Sequence, residues 1–178
     1  MRDKLFYLVF FSFILAISRI IPHPPNFTPI IASAILAPLF IKDRWYGMAI
    51  PIAAMFISDI LIGFHTYQIV VYLTLLSISC LSPMLMNYKK ITILAISGSV
   101  WFFITTNFAV WAMWSTYPKT IEGLLACYTL AIPFFQYTLI STCLFTGLLV
   151  ILYKYVEVVN EKTNSFLLKI IRKNKNII

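Results

Sequence analysis

Long apolar stretches, separated by short polar or basic segments, dominate the chain. A helix that crosses the hydrocarbon core of a bilayer needs about 20 mostly apolar residues at a rise of about 1.5 Å per residue. The pattern therefore predicts an all-α, polytopic integral membrane protein with about six transmembrane helices. These predicted spans are 5–21, 27–41, 45–63, 66–86, 91–114 and 127–155.

Two of the predicted spans have unusual features. The second is short, and Pro29 and Pro38 near its ends predict tight turns or a partly re-entrant element. The first follows Arg2 and Lys4 and contains Ala16-Ile17-Ser18, which imitates the cleavage site of a secretory signal. Because the apolar run continues past this site, we expect a retained first helix; cleavage would leave five helices.

Basic residues predict the direction of the chain, because Lys and Arg are retained on the cytoplasmic side of short loops. With the N-terminus inside, the basic residues of the loops and of the tail fall on the cytoplasmic side. The exception is Lys119, which lies in an outer loop. The residues that fall inside are Arg2, Lys4, Lys42, Arg44, Lys89, Lys90 and Lys154. We therefore expect an N-in, C-in, multi-pass protein of the bacterial inner membrane.

Composition agrees with a membrane environment. Of the 178 residues, 61% are hydrophobic and 11% are charged, and the mean hydropathy is +0.89; a soluble domain is about a quarter charged. The net charge of +8 arises from the loops and one tail, so the lipid bilayer is the expected partner and nucleic acid is not.

No linker divides the chain, but its C-terminal end differs from the rest. We expect a transmembrane domain over 1–156 and a basic amphipathic cytoplasmic tail over 157–178. Helical spacing separates the apolar Phe166, Leu167, Ile170 and Ile171 from the basic Lys169, Arg172 and Lys173. Such a helix suits an anionic inner leaflet; the alternative is docking to a cytoplasmic partner.

The polar residues that apolar packing cannot explain fall near the outer side of the predicted helices. We interpret them as a substrate-binding site in an outward-facing pocket. Its candidate residues are Arg19, His23, Asn26, Asp59, His65, Asn107, Trp111, Trp114 and Tyr128. Mostly apolar pockets with a few placed polar groups are the usual form of small-molecule sites.

Each candidate also has a structural interpretation. Arg19 could extend to the headgroups, pair with Asp59 or bind an anionic ligand. A carboxylate at the centre of a helix costs about 2.5–3.5 kcal/mol on insertion scales, so Asp59 favours a pair or a function. Trp111 and Trp114 also suit an interfacial aromatic belt, and Asn107 could bond a neighbouring helix.

The chain shows little sign of metal or cofactor chemistry. His23 and His65 lack an arranged carboxylate, and the three cysteines at 80, 127 and 143 form no CxxC pair. We expect buried free thiols, no metal and no cofactor. The chain has no HExxH, GxSxG or GxxxxGK[ST] motif, so we do not expect an enzyme; the alternative is an intramembrane enzyme that uses His23, His65 and Asp59.

Several motifs in order resemble a family of small, uncharacterised bacterial proteins assigned to transport. They include the run from Arg19 through Pro22-His23-Pro24-Pro25-Asn26, the Ser58-Asp59 pair, and the stripe from Asn107 to Trp111. Two further motifs are Tyr117-Pro118-x-Thr120 and Cys127-Tyr128 followed by Ala131-Ile132-Pro133-Phe134-Phe135. The likeness covers about 15–150.

That family is similar, more distantly, to the substrate-capturing S components of energy-coupling factor vitamin transporters. The resemblance implies six helices, a pocket that opens outward, and a partner module of one membrane coupling subunit and two cytoplasmic ATPases. In S components, small residues on the first helix contact the coupling subunit, and Ser12-x-x-x-Ala16 approximates that pattern.

We therefore expect the substrate-binding membrane component of an uptake transporter for a vitamin or another small solute. If Arg19 and Asp59 pair, a neutral or weakly charged, aromatic-containing solute is favoured. A self-sufficient carrier with Asp59 as a cation site is one alternative. A structural or assembly subunit of the membrane is another, and a closed outer surface with Arg19 and Asp59 on separate faces would favour it.

Overall fold

The computed structural model describes the backbone of residues 2–41, 43–85 and 90–175, and the side chains of 5–6, 8–41, 43–84 and 90–159. The described chain is all-helical, as predicted, and has six helices in the expected order. They are α1 (Arg2–Ile20), α2 (Ile30–Phe40), α3 (Arg44–Ile62), α4 (Gln68–Leu85), α5 (Ile91–Met113) and α6 (Ile121–Lys175).

The second helix is shorter than the predicted span. Pro29 precedes it with a φ of −78°, close to the value that the proline ring imposes, so the helix begins directly after this residue. Its 11 residues extend only about 16 Å, roughly half the thickness of the hydrocarbon core. Pro38 lies inside its C-terminal part instead of ending it.

The sixth helix is longer at both ends than predicted. Thr120 Oγ1 accepts a hydrogen bond of 3.2 Å from the backbone N–H of Gly123, which is the geometry of an N-cap. Glu122, which precedes the predicted span 127–155, therefore lies in the first turn, where the helix dipole favours a carboxylate. The helix runs on to Lys175, but the side chains of the predicted amphipathic face (166–173) lie outside the described residues.

The second helix lies at the centre of the packing. It packs against α3, α4 and α5, and small residues such as Ala32 and Ala34 are fully buried in it. A Cβ on Gly47 of α3 would lie 2.4 Å from the carbonyl oxygen of Ala37. Only glycine therefore permits the two backbones to approach this closely.

The small residues of α1 face the inside of the chain. Ser12 Oγ donates a hydrogen bond of 3.1 Å to the carbonyl of Ile50, and Ser12 and Ala16 are each 1% exposed. They pack α1 against α3. Ser12-x-x-x-Ala16 therefore serves packing within the chain and is not a free surface for a coupling subunit.

The cysteine prediction was wrong in part. All three thiols are free, but only Cys127 is buried; Cys143 is half-buried and Cys80 is exposed. Cys80 lies on an exposed face of α4. Its sulfur atom is 4.0 Å from that of Met48 on α3. Burial was assigned from membership of an apolar run, which does not distinguish a face toward other helices from a face toward lipid.

The outer surface is strongly apolar. Large side chains such as Leu61, Ile69 and Met84 are 72%, 71% and 81% exposed. Soluble proteins rarely expose so much apolar surface. Within the described chain, three helical segments are long and apolar enough to cross a membrane: Arg44–Ile62, Ile91–Met113 and Ile121–Val159. The shorter apolar segments are Leu8–Ile20, Ile30–Phe40 and Gln68–Met84. These features indicate a membrane protein.

The chain forms two compact units. The first, Met1–Thr146, contains α1 to α5 and the beginning of α6, and the second, Gly147–Ile178, contains the rest of α6. Within the first unit, the carbonyl of Asn26 accepts a hydrogen bond of 3.3 Å from Ser141 Oγ. Ser141 lies about 30 Å along α6 from the start of this helix. The segment before α2 therefore contacts α6 far from its N-terminal end.

Candidate functional site

An ion pair joins the end of α1 to α3. Arg19 Nη1 lies 2.5 Å from Asp59 Oδ1, and the two side chains are 17% and 1% exposed. The same nitrogen also donates to Ser58 Oγ and, at 3.3 Å, to the carbonyl of Met55. The predicted pairing of Arg19 with Asp59 is therefore present in the structure, and it places the guanidinium among α3 acceptors.

The second oxygen of Asp59 is bound by α4. Gln68 Nε2 donates to Asp59 Oδ2 at 2.7 Å, and the Tyr72 hydroxyl donates to the same oxygen at 2.8 Å. A buried charge is tolerated only when it is paired and hydrogen-bonded, and both conditions are met here. Gln68 and Tyr72 were absent from the sequence prediction; their i, i+4 spacing at the start of an apolar helix was the available signal.

Beside Arg19 lies a cavity of about 380 Å³, within the usual size range of small-molecule sites. Aromatic side chains form much of its wall: Tyr67, Phe102, Phe103, Tyr117, Phe134 and Phe135. Polar side chains that line it are Arg19, Asn26, His65, Thr106, Asn107 and Thr138. The cavity lies entirely within the first compact unit.

Arg19 and Asn107 keep hydrogen-bonding capacity in this cavity. All the hydrogen bonds of Arg19 to described residues come from Nη1, so its Nε and Nη2 donors have no partner within the described ranges. Asn107 Nδ2 donates 2.8 Å to the carbonyl of Phe103, and Oδ1 has no partner among those same residues. The wall thus offers a donor and an acceptor.

One aromatic ring lies against His65 at one side of the cavity. The His65 ring lies 4.2 Å from the Tyr67 ring, and Tyr67 lies 5.9 Å from Trp114. Burial lowers the pKa of His65 from its ordinary value; Asp59 partly opposes this shift and Arg19 adds to it. The imidazole is therefore mainly neutral near neutral pH.

The structure brings together about half of the predicted site residues. Arg19, Asn26, His65 and Asn107 line the cavity. Asp59 lies behind Arg19, where it holds the guanidinium through Nη1.

Besides Asp59, four predicted residues lie outside the lining and have structural contacts instead. His23 Nε2 lies 3.3 Å from the carbonyl of Arg19, so its ring folds back on the end of α1. Trp111 Nε1 donates 3.0 Å to the carbonyl of Pro118 and anchors the loop before α6. Trp114 is 50% exposed beside Tyr67.

Tyr128 supports the cavity wall from behind. Its hydroxyl donates 2.6 Å to the carbonyl of Ile104, and its ring meets the edge of Phe103 at 5.5 Å. Phe102, Phe103, Phe134 and Phe135 were missed as site residues. Adjacent phenylalanines in an apolar run give no sequence signal that separates a lining face from a lipid face.

The side chains that the structure describes include no group of three His, Cys, Asp or Glu residues that could hold a metal ion. The cavity itself offers hydrogen bonds from Arg19 and to Asn107, and apolar contact with aromatic rings.

The model of a family of unknown function, DUF6580, matches residues 1–165, and the chain belongs to this family. Comparisons with curated proteins and with solved structures give no match.

Proposed function

We propose that this DUF6580 protein is the solute-binding membrane component of an uptake transporter for a small molecule. The observation that carries the proposal is the cavity of about 380 Å³ with an aromatic wall and a side chain, Arg19, that is held in place by a buried carboxylate. Ligand sites are typically concave, mostly apolar and equipped with a few placed polar groups.

The proposal includes six crossings of the bilayer, with both termini inside. The first crossing is α1, and the second combines the segment 21–29 with the short α2. Such irregular backbone is tolerated at membrane depth where protein covers it, as Ser141 does for the carbonyl of Asn26. The positive-inside rule then directs the cavity to the outside of the bacterial inner membrane.

The geometry favours a neutral or weakly charged solute that contains an aromatic group. Asp59 already compensates the charge of Arg19 at 2.5 Å, so the pair adds no net charge to the cavity. The phenyl rings of Phe103 and Phe135 lie 4.7 Å apart and offer apolar contact to a flat molecule.

The energy for uptake would come from a partner. The chain contains no GxxxxGK[ST] nucleotide-binding sequence, so we propose a membrane coupling subunit with cytoplasmic ATPases. Because Ser12 and Ala16 are buried against α3, that subunit would have to contact other faces of the chain.

The geometry gives less support to the carrier in which Asp59 binds a cation. Both oxygens of Asp59 accept hydrogen bonds from Arg19, Gln68 or Tyr72, and the residue is 1% exposed. A cation would have to displace these donors. Uptake that collapses with an ionophore while ATP remains available would nevertheless assign the function to such a carrier.

Thermal unfolding of the detergent-solubilised protein against a library of small solutes tests the proposal. A ligand of the folded state raises stability by RT ln(1 + [L]/Kd). Ala131 lines the cavity, whereas Ala126 of the same helix is exposed and outside it, so Ala131→Phe fills the site and Ala126→Phe is its matched control.

We expect a solute that stabilises the wild-type protein and Ala126→Phe but not Ala131→Phe. Absence of any stabilising solute, or equal stabilisation of both variants, would contradict solute capture in this cavity.

A further inference from the structure

We infer that the solute is an uncharged, planar heteroaromatic molecule that carries both a hydrogen-bond acceptor and an N–H or O–H donor. This inference rests on the proposed function and names the chemical class that the same cavity would select. It depends on three features of the cavity. Its aromatic rings are fixed in position, its wall has donors on Arg19 and acceptors on other side chains, and the guanidinium is already paired.

The aromatic part of the wall is held in place by its own contacts. Phe103 lies 4.7 Å from Phe135 with the ring planes tilted by 41°, and it meets Tyr128 edge-on. The hydroxyl of Tyr128 is bonded to the carbonyl of Ile104, which fixes that ring in turn. Aromatic rings prefer offset-stacked or edge-on partners, so a wall of fixed rings favours a flat solute over a branched aliphatic one.

Arg19 supplies the donor side. Its Nη1 is occupied by α3 acceptors, while Nε and Nη2 have no partner within the described ranges. A guanidinium never accepts a hydrogen bond. The group that it binds must therefore be an acceptor, such as a ring nitrogen or a carbonyl oxygen.

Three other side chains of the lining, Thr106, Thr138 and Asn107, offer acceptors. Thr106 and Thr138 donate their hydroxyl hydrogens to the carbonyls of Phe102 and Phe134, at 2.7 and 3.0 Å, so only their lone pairs are left for a ligand. The Nδ2 of Asn107 is likewise used on Phe103, which leaves Oδ1 as an acceptor. A solute that donates an N–H or O–H would find an acceptor at these three side chains.

Charge excludes the ionised versions of the same molecule. A carboxylate bound to Arg19 would share the guanidinium with Asp59, whose Oδ1 lies 2.5 Å from Nη1, and two carboxylates around one cation repel each other. A cationic solute would instead face Arg19 itself. An uncharged acceptor avoids both penalties.

Isothermal titration with matched two-ring probes tests the class. 2-Quinolone has a donor and an acceptor, quinoline only an acceptor, and naphthalene neither; quinoline-2-carboxylate adds a negative charge, and caprolactam is a non-aromatic lactam. We expect 2-quinolone to bind most tightly, and quinoline about tenfold more weakly because one hydrogen bond is lost. Naphthalene, the anion and caprolactam should be weaker still.

Two variants connect the preference to named atoms. Asn107→Leu should weaken 2-quinolone by about tenfold while leaving quinoline unchanged, and Gln136→Leu, an exposed position of α6 outside the lining, should change neither. Arg19→Lys keeps a cation for Asp59 but loses the fork of the guanidinium, so it should weaken both probes.

The outcomes separate this inference from the proposed function. Tighter binding of the carboxylate or of caprolactam, or an Asn107→Leu variant that weakens both two-ring probes equally, overturns the solute class. If charged or aliphatic library solutes bind and Ala131→Phe abolishes that binding, only the class is wrong. If neither the probes nor the library bind, the proposed function fails as well.

Discussion

Arg19 Nη1 and Asp59 Oδ1 lie 2.5 Å apart although 40 residues separate them in the chain. The pair ties the last turn of α1 to the last turn of α3, and Gln68 and Tyr72 add the first turns of α4 to the same carboxylate. Three helices are thus joined at one buried group, directly beside the cavity that Arg19 lines.

Replacement of Asp59 by leucine should destabilise the protein strongly. Breaking a buried pair leaves the remaining charge uncompensated and costs about 3–5 kcal/mol; because Arg19 is 17% exposed, we expect the lower end of this range. The free energy of unfolding in a denaturing detergent measures the effect. The double variant Arg19→Met/Asp59→Leu should recover most of the loss, and a double variant as unstable as Asp59→Leu would show that the charge of Arg19 is not the cause.

Removal of the Tyr72 hydroxyl should have a smaller effect on the same group. Tyr72→Phe keeps the ring but takes one donor from Asp59 Oδ2, and hydrogen bonds to charged groups contribute about 1.5–3 kcal/mol. The unfolding free energy should fall by about this amount. Tyr137→Phe is the control, because Tyr137 is 41% exposed on α6 and should change stability by less than about 0.5 kcal/mol. Equal effects of the two substitutions would contradict the assigned contact.

The close approach of α2 and α3 predicts a strong dependence on Gly47. Gly47→Ala places a Cβ 2.4 Å from the carbonyl oxygen of Ala37 and 2.7 Å from Pro38 Cα, and both are backbone atoms that cannot move aside alone. We expect a loss of about 1–3 kcal/mol, as for other overpacked interiors. Gly147→Ala is the matched control, since a Cβ there meets nothing within 4 Å and alanine is the better helix former. A neutral Gly47→Ala would mean that the two helices can separate at no cost.

Protonation of His65 should destabilise the folded protein. Burial lowers its pKa from the ordinary value of 6.5, so the folded state binds fewer protons than the unfolded state as the pH falls through this range. The stability that His65 contributes is therefore present above about pH 6.5 and is lost as the pH falls toward its folded pKa. Thermal unfolding between about pH 7.5 and 5 should show a steeper loss for the wild-type protein than for His65→Gln. Parallel curves would contradict the shift.

The sequence by itself determined the class of the molecule. Length and hydropathy of the apolar runs fixed an all-helical chain with six helices in the observed order, because backbone groups in an apolar environment must be satisfied within the segment. The sequence also identified Arg19 and Asp59 as unusual, because a charged side chain in an apolar span is energetically costly unless it is paired or functional.

Tertiary structure alone decided which faces of those helices meet. Hydropathy is similar on the side toward lipid and the side toward other helices, so the sequence could not show that Phe103 and Phe135 line a cavity while Trp111 anchors a loop. Nor could it show that Ser12 and Ala16 are covered by α3. Distances between helices decide which side chains of α4 bind Asp59 and whether the acceptor of Asn107 is free. These distances cannot be read from spacing along the chain.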